Sequence, residues 1–367
     1  MVPGEEVLVG KLDGGDGEYV PAWLRLSLPL AVFGFESYAY NWVFLARILP
    51  AVGKEQLITP YMVVFNLAWV LALWSYLRVR SADPGGLPKR WQDFVQTVGD
   101  ALPVVAAVPE WQPGKATYCG KCRLVRPERS HHCSVCDRCV LRMDHHCPWI
   151  NNCVGFRNHK IFILLMVYSI LASVLALATS LPELVYCAEA ALQMEEASDW
   201  QVRGLQLSDL IVFIAFGLVS LGTVALIVPM LGPQLADASQ NQTMIEDNYT
   251  NMANPFDQGS VFRNFEQVFG TCGIDWILPV EPSRPLSDGV SFARPCERRV
   301  GTGPDEGRWE LLEDEDTLDE SQDTDGSERI WRLRYRVQKD ITAAAADGSW
   351  WNSCCAKNIT LSPRSQS

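Results

Sequence analysis

Long runs of apolar residues without any charge alternate with polar stretches along this chain of 367 residues. Two of these runs, 161–181 and 210–231, are each long enough to cross a hydrocarbon core about 30 Å thick. A third uncharged run, 57–77, contains Pro60 near its start, so we expect its regular helix to begin at about Tyr61. These three runs predict transmembrane helices.

A fourth apolar run, 26–46, lies between Arg25 and Arg47 and is interrupted by Glu36. A carboxylate at mid-membrane depth costs roughly 3 kcal/mol or more unless it is paired or protonated, and such groups face the interior of a helix bundle. We expect Glu36 to face the bundle, with a substrate-sensing role as the alternative. The pattern as a whole predicts an all-α polytopic membrane protein with four transmembrane helices.

Charge is distributed unevenly, although the whole chain has a net charge of -12. Residues 78–160, between the second and third spans, contain 13 Lys or Arg against 7 Asp or Glu, whereas the short loop between the third and fourth spans is acidic. Because cytoplasmic loops are enriched in Lys and Arg, we expect both termini and residues 78–160 in the cytosol. No basic region leads from the N-terminal residues into an apolar stretch, so a cleaved signal peptide is not expected.

This topology divides the chain into six segments. The segment 300–367 is called a tail because 303–328 is strongly acidic and poor in large apolar residues, which is typical of disorder. In chain order the predicted segments are a cytosolic N-terminus (1–25), transmembrane helices 1 and 2 (26–77), a cytosolic linker and cysteine-rich zinc domain (78–160, core 117–160), transmembrane helices 3 and 4 with a short lumenal loop (161–231), a cytosolic membrane-associated C-terminal region (232–299) and a largely disordered acidic tail (300–367).

Cysteine and histidine are concentrated in one short segment. Seven of the 12 cysteines lie between Cys119 and Cys153, and all five histidines lie between His131 and His159. In a reducing cytosol this density is typical of tetrahedral zinc sites rather than disulfides. Two closed sites need eight ligands, so a cysteine can remain free to react, and Cys147 is the candidate. The zinc ions are expected to be structural, because the segment has too few apolar residues for a core.

The run Asp144-His145-His146-Cys147 supplies a carboxylate, an imidazole and a thiol within four residues. An imidazole can deprotonate a thiol to the attacking thiolate, and a carboxylate can orient the imidazolium. The run therefore predicts an activated nucleophile.

Three alternatives to an enzyme are less consistent with these residues. In a non-enzymatic membrane adaptor the zinc module would only bind partners, but zinc folding does not require Asp144, His145 and Cys147 together. A nucleic-acid-binding zinc module is disfavoured because topology explains the basic charge, so no nucleic-acid partner is expected. A metal transporter is disfavoured because the Cys/His cluster lies outside the spans.

The pattern C-x2-C, H-C-x2-C-x2-C, D-H-H-C-x-W, N-C-x-G-x2-N between Cys119 and Asn158 resembles the DHHC protein S-acyltransferases, or palmitoyltransferases. The resemblance implies an enzyme that moves a long-chain acyl group from acyl-CoA to cysteines of cytosolic or membrane proteins. It implies a ping-pong reaction through an acyl-enzyme on Cys147, with His145 as the general base oriented by Asp144. A Golgi or other endomembrane location is also implied.

The resemblance further implies two structural zinc ions with interleaved ligands: Cys119, Cys122, His132 and Cys139 for one, and Cys133, Cys136, His146 and Cys153 for the other. The family's T-T-x-E motif corresponds to Thr243-Met244-Ile245-Glu246, so Met244 leaves out a hydroxyl that could have bonded to the catalytic domain. Thr243 and Glu246 are expected to keep their supporting roles. Asn264 is expected to be a polar anchor in an amphipathic helix on the membrane face.

Three further expectations concern substrates and modification. Basic residues of the cysteine-rich region could pair with coenzyme A phosphates, bind anionic headgroups or simply keep the loop cytosolic, namely Arg123, Arg126, Arg129 and Lys160. A cavity between the spans would hold the acyl chain near Tyr168, Ser169 and Phe216. Cys354 and Cys355 follow two tryptophans near the C-terminus, which suits an acylated tail or, as the alternative, two exposed thiols.

Overall fold

Long helices dominate this computed structural model, which describes residues 22–106, 114–193, 204–249, 254–294 and 326–337. Three helical segments are long and apolar enough to cross a membrane: Glu55–Ser81, His159–Glu189 and Leu207–Ser239. They coincide with the second, third and fourth predicted spans. The helices that build them are α2 (Ile58–Ser81), α4 (His159–Gln193) and α5 (Leu207–Ser239).

The first predicted span lies on a helix that changes its winding partway. α1 (Ala22–Tyr38) continues directly into a π-helix (Ala39–Ile48), and it is not among the three segments that meet the length and composition for a span. The π-helix nevertheless packs into the bundle, where Tyr40 stacks on Phe65 of α2 with ring centroids 3.9 Å apart. The Tyr40 hydroxyl also lies 2.8 Å from the Thr179 hydroxyl of α4.

Glu36 faces the inside of this bundle, as expected. Its side chain is 5% exposed, and it lies beside the hydroxyl groups of Ser173 on α4 and Thr223 on α5. Nearby hydroxyl groups from two helices give this carboxyl group a partly polar environment.

A module of short β-hairpins lies between α2 and α4. A three-stranded sheet has the order β1 (Val104–Val105), β2 (Ala116–Cys119), β3 (Leu124–Arg126). Two hairpins follow, one of β4 (His131–Cys133) and β5 (Arg138–Val140), the other of β6 (His145–Cys147) and β7 (Asn152–Val154). Their registers pair His132 with Cys139 and His146 with Cys153. Each hairpin thus brings an imidazole and a thiol side by side.

The chain just after α2 holds this module against the membrane helices. Asn152 donates hydrogen bonds to the carbonyls of Val79 and Ala82, at 3.0 and 2.8 Å. In the Asp83-Pro84-Gly85 element, the Pro84 carbonyl accepts the Arg157 N–H at 3.1 Å. Any Cβ at Gly155 would lie 2.7 Å from the same carbonyl oxygen. Only glycine permits this approach, so the element and the module are closely packed.

Three shorter α-helices and one 3-10 helix (Ile274–Ile277) follow α5 in the part of the chain that the structure describes. The α-helices are α6 (Met244–Asp247), α7 (Val261–Phe269) and α8 (Gly326–Arg334). α8 lies within the stretch for which we predicted a largely disordered acidic tail, so residues 326–337 differ from that prediction. The rest of the predicted tail, including Cys354 and Cys355, lies outside the described residues.

Two buried aromatic residues hold this C-terminal segment in place. Trp331 and Tyr335 are 3% and 0% exposed, and both rings contact Trp91 of α3 (Lys89–Val98). The Tyr335 hydroxyl donates to the Val290 carbonyl at 2.7 Å and accepts the Glu128 N–H at 3.0 Å. Two large buried aromatic side chains provide enough apolar contact area to dock this segment, although the tail as a whole is acidic.

Candidate functional site

Two groups of four Cys and His side chains have the geometry of metal sites. The ligand atoms of each group all lie within 4.8 Å of one another. The groups are Cys119, Cys122, His132 and Cys139, and Cys133, Cys136, His146 and Cys153. These are the two interleaved sets that the resemblance implies.

Sulfur spacing fits a tetrahedral ion rather than disulfides. Zn–S bonds of about 2.3 Å place two sulfurs of a tetrahedron roughly 3.8 Å apart. The Cys122 and Cys139 sulfurs are 3.7 Å apart, and those of Cys136 and Cys153 are 3.5 Å apart. In each group a histidine Nδ1 points at the sulfurs, as with His132 at 3.2 Å from Cys122. Both clusters are therefore compatible with zinc binding.

The remaining histidines of the segment belong to neither cluster. His131 is half-buried, and desolvation together with the charges of Arg126 and Arg129 lowers its pKa to about 3. His159 begins α4 and is fully buried. His145 lies on β6, directly before the cluster residue His146.

Cys147 lies at the end of β6, where the module meets the membrane helices. It is 4% exposed and belongs to an apolar cluster that includes Val79 at the end of α2, Ile161 and Phe162 at the start of α4, and Tyr168 further along the same helix. The Cys147 thiol therefore has an apolar environment, formed by the ends of the two long helices.

Asp144 and His145 form a close pair beside this thiol. Oδ2 of Asp144 lies 2.7 Å from Nδ1 of His145, and the carboxylate is 1% exposed. Burial alone would lower the pKa of His145, but the hydrogen bonds and charges of Asp144 and Cys147 raise it to about 9. Burial would raise the pKa of Asp144, but the His145 hydrogen bond and the Met244 N–H, among other contacts, hold it well below the ordinary value.

The pKa values indicate an imidazole that holds its proton well. A protonated imidazole can act as a general acid. The structure places the Asp144–His145 pair in contact with the Cys147 side chain.

Two further groups donate to the Asp144 carboxylate. The backbone N–H of Met244 lies 2.8 Å from Oδ1, and Nε2 of Gln234 lies 2.9 Å from Oδ2. The absent threonine hydroxyl at position 244 therefore does not abolish the contact between this motif and the catalytic segment, since the backbone makes it. Gln234 was missed by sequence reasoning, and its one signal is a polar side chain shortly after the fourth apolar run.

Thr243 and Glu246 build the small helix that presents the Met244 N–H. Thr243 is the N-cap of α6, and its hydroxyl accepts the Glu246 N–H while the Glu246 carboxylate accepts the Thr243 N–H. This reciprocal arrangement is a capping box. The Glu246 oxygens also accept hydrogen bonds from Nε and Nη2 of Arg129, at 2.6 and 2.7 Å, and both side chains are buried. Both supporting residues thus join the C-terminal region to the cysteine-rich module.

Most of the basic residues considered for phosphate binding are used inside the protein. Arg129 is paired with Glu246 and lies over the ring of Phe256 at 4.1 Å. Lys160 is buried and lies 3.3 Å from Asp275. Arg126 is buried and donates to the Thr117 hydroxyl at 2.7 Å. Arg123 is exposed.

Asn264, which the sequence analysis proposes as a polar anchor, joins α7 to the end of α5. It is 2% exposed, donates to the Ser239 carbonyl at the end of α5 and to Asp257, and accepts the Gln258 N–H at 2.7 Å. Exposed Val261 and Phe262 lie on the same helix, α7. This distribution agrees with an amphipathic helix at the membrane face.

The residues considered for an acyl-chain cavity do not belong to one apolar cluster. Tyr168 belongs to the apolar cluster around Cys147, and its hydroxyl donates to the Ile277 carbonyl at 2.5 Å. Phe216 belongs to a second apolar cluster, with Tyr40 and Phe213. Ser169 is 8% exposed.

Comparison with known proteins identifies similar sequences. A family described as DHHC palmitoyltransferase matches residues 112–250, which include both clusters and the Asp144–Cys147 run. The chain is 37% identical over 219 residues to probable protein S-acyltransferase 12 of Arabidopsis thaliana, covering 59% of this chain and 72% of that protein. It is 32% identical to probable protein S-acyltransferase 13 of the same plant, covering 75% and 91%. It is 30% identical to palmitoyltransferase ZDHHC20 of Mus musculus, covering 78% and 80%.

Proposed function

Since this chain belongs to the DHHC palmitoyltransferase family and is a protein S-acyltransferase of the membrane, we propose that Cys147 carries the acyl group between donor and acceptor. The donor is a long-chain acyl-CoA, and the acceptor is a cysteine thiol of a cytosolic or membrane protein. The observation that carries this proposal is the buried Asp144–His145 pair at 2.7 Å beside a thiol in an apolar cluster.

Acyl transfer proceeds in two balanced steps. In the first, the Cys147 thiolate attacks the thioester carbonyl of acyl-CoA, the bond from the acyl carbon to the coenzyme A sulfur breaks, and protonated His145 supplies the proton that coenzyme A takes. In the second, His145 accepts the proton of a substrate thiol, whose sulfur attacks the Cys147 thioester and releases the Cys147 thiolate. Asp144 orients the imidazole and stabilises its charged form through both steps.

The two metal clusters hold this nucleophile in place. Zinc bound by Cys133, Cys136, His146 and Cys153 would fix the residue between His145 and Cys147, and zinc bound by the other four ligands would fix the preceding hairpins. Such ions supply folding free energy rather than chemistry, because all four coordination positions are filled by protein.

The arrangement in the membrane follows from the helices that pack together. We propose that α1 and the π-helix form the first of four spans, because Tyr40 stacks within the bundle on Phe65 of the second. The cysteine-rich module and both termini then lie in the cytosol, in agreement with the basic charge of residues 78–160. A Golgi or other endomembrane location completes the proposal.

The first experiment is mass spectrometry of purified protein incubated with palmitoyl-CoA, with and without hydroxylamine. The wild type is expected to carry a hydroxylamine-sensitive acyl adduct on Cys147, and Cys147→Ser is expected to lack it. Cys272→Ser is the matched control, since Cys272 is an exposed thiol outside the site, and it should form the adduct normally. A folded, zinc-loaded wild type without any adduct on Cys147 would refute the proposal and favour the adaptor function.

A further inference from the structure

A chain of buried hydrogen bonds runs from the Asp144 carboxylate into two membrane helices. Nε2 of Gln234, on α5, lies 2.9 Å from Oδ2 of Asp144. Nε2 of His159, the first residue of α4, lies 3.0 Å from Oε1 of Gln234. Nη1 of Arg142 lies 3.4 Å from Nδ1 of His159. All four side chains are at most 3% exposed, so water does not compete for these contacts.

The chemistry of Arg142 fixes the direction of every bond in this chain. A guanidinium only donates, so Nδ1 of His159 accepts, and the imidazole is neutral with its proton on Nε2. That N–H donates to the Gln234 carbonyl oxygen. The amide nitrogen of Gln234 therefore faces Asp144 and donates to it, whereas a reversed amide would place an oxygen against the carboxylate.

We propose that Gln234 is a positioning residue for acyl transfer, which acts by holding the Asp144 carboxylate in the orientation that receives His145. This inference rests on the proposed role of Cys147 as the acyl carrier. Oδ2 of Asp144 is shared by His145 and Gln234, and Oδ1 receives the Met244 N–H. Donors from β6, α5 and α6 thus fix the plane of one carboxylate, and His159 fixes the amide of Gln234 in turn.

Without Gln234 the carboxylate keeps two donors, but both lie on short elements of the cytosolic side. The contact from α5 is the one that ties Asp144 directly to a long membrane helix. Its loss allows the carboxylate to rotate, so that the imidazole of His145 spends less time aligned with Cys147. Catalytic positioning is sensitive to shifts of this size.

The test uses Gln234→Met in the full-length protein, because methionine has a similar volume and makes neither hydrogen bond. The rate constant for acyl-enzyme formation at saturating palmitoyl-CoA should fall roughly tenfold, as expected for a lost hydrogen bond to a charged group, while the half-saturating concentration stays unchanged. Gln240→Met is the control, because Gln240 is exposed at the end of the same helix. Equal rate constants for the two variants would overturn the proposal.

A second background separates positioning from packing. If Gln234 acts through Asp144, then Gln234→Met should cause no further loss in a protein that already carries Asp144→Ala. The readout is the rate of Cys147 alkylation by iodoacetamide, which needs no acyl-CoA, together with the zinc content of each protein. The same slowing by Gln234→Met in both backgrounds would overturn the proposal and show a packing role.

His159→Phe provides an independent variant in case Gln234→Met does not retain zinc. It leaves Gln234 in place but removes the donor that fixes its amide, so a smaller loss in the same direction is expected, again absent with Asp144→Ala. A wild type without an adduct on Cys147 would refute the proposed function itself. The positioning role alone would be refuted if the wild type forms the adduct normally and the zinc-loaded Gln234→Met and His159→Phe proteins form it at the same rate.

Discussion

Replacing Met244 by proline should remove one hydrogen-bond donor from Asp144 while leaving α6 intact. Met244 is the first residue of this helix, where proline is favoured because its fixed φ suits the position. Its predecessor Thr243 has φ -119° and ψ 160°, which lies in the extended region that a residue before proline adopts. The backbone N–H that donates to Oδ1 of Asp144 at 2.8 Å is therefore lost, and Cδ of the proline ring takes the place of its hydrogen, so that the carboxylate must also move away from α6.

The magnitude follows from the other donors to the same carboxylate. A hydrogen bond to a charged group contributes about 1.5–3 kcal/mol. His145 and Gln234 remain as donors to Asp144, but the proline ring displaces the carboxylate, so we expect at least the lower end of this range. A loss of about 1.5 kcal/mol in the transition state slows acyl-enzyme formation about tenfold.

The assay is the time course of the hydroxylamine-sensitive adduct on Cys147 at saturating palmitoyl-CoA. Met244→Ala is the matched control, since it shortens the side chain but keeps the N–H, and its rate should stay within about twofold of the wild type. Equal rates for Met244→Pro and the wild type would refute the reasoning. So would a Met244→Ala protein as slow as Met244→Pro, because the side chain and not the backbone would then be responsible.

Three other perturbations test the supports of the site. Glu246→Ala leaves the Arg129 guanidinium buried and unpaired, which should cost about 3–5 kcal/mol and lower the thermal midpoint; an unchanged midpoint would contradict the buried pair. Trp331→Ala should cost about 3 kcal/mol, and Ile330→Ala, at an exposed neighbour, at most about 0.5 kcal/mol; equal effects would mean that α8 is not docked. Metal analysis should find two zinc ions per chain, and a strong chelator should unfold the module and stop acylation of Cys147; acylation that survives complete zinc removal would contradict structural zinc.

Local signals explain what could be predicted from the sequence. The length of an uncharged run and the density of Cys and His are properties of neighbouring residues, so three spans and a metal-binding segment are recognisable in the sequence alone, whereas the division of the ligands between two clusters followed from the family resemblance. Asp144, His145 and Cys147 are also recognisable in the sequence, because they lie within four positions.

Long-range pairs explain what could not be predicted. Gln234 is 90 residues from Asp144, and Glu246 is 117 residues from Arg129. A single sequence contains no sign that these side chains meet, so Arg129 was interpreted as a basic residue available to phosphate. α8 could not be predicted for a different reason. Trp331 and Tyr335 are four residues apart, but the strongly acidic segment before them favours a prediction of disorder for the whole tail. The π-helix has no local pattern that distinguishes it from an α-helix.

The docking of Tyr335 has a consequence for the order of events during biosynthesis. Its hydroxyl accepts a hydrogen bond from the N–H of Glu128, which lies 207 residues earlier in the chain. At a translation rate of about 5–20 residues per second, the ribosome needs roughly 10–40 s to synthesise the intervening chain. The cysteine-rich module is therefore synthesised well before Tyr335, which packs against it. Zinc can bind to the nascent module before this C-terminal segment covers it.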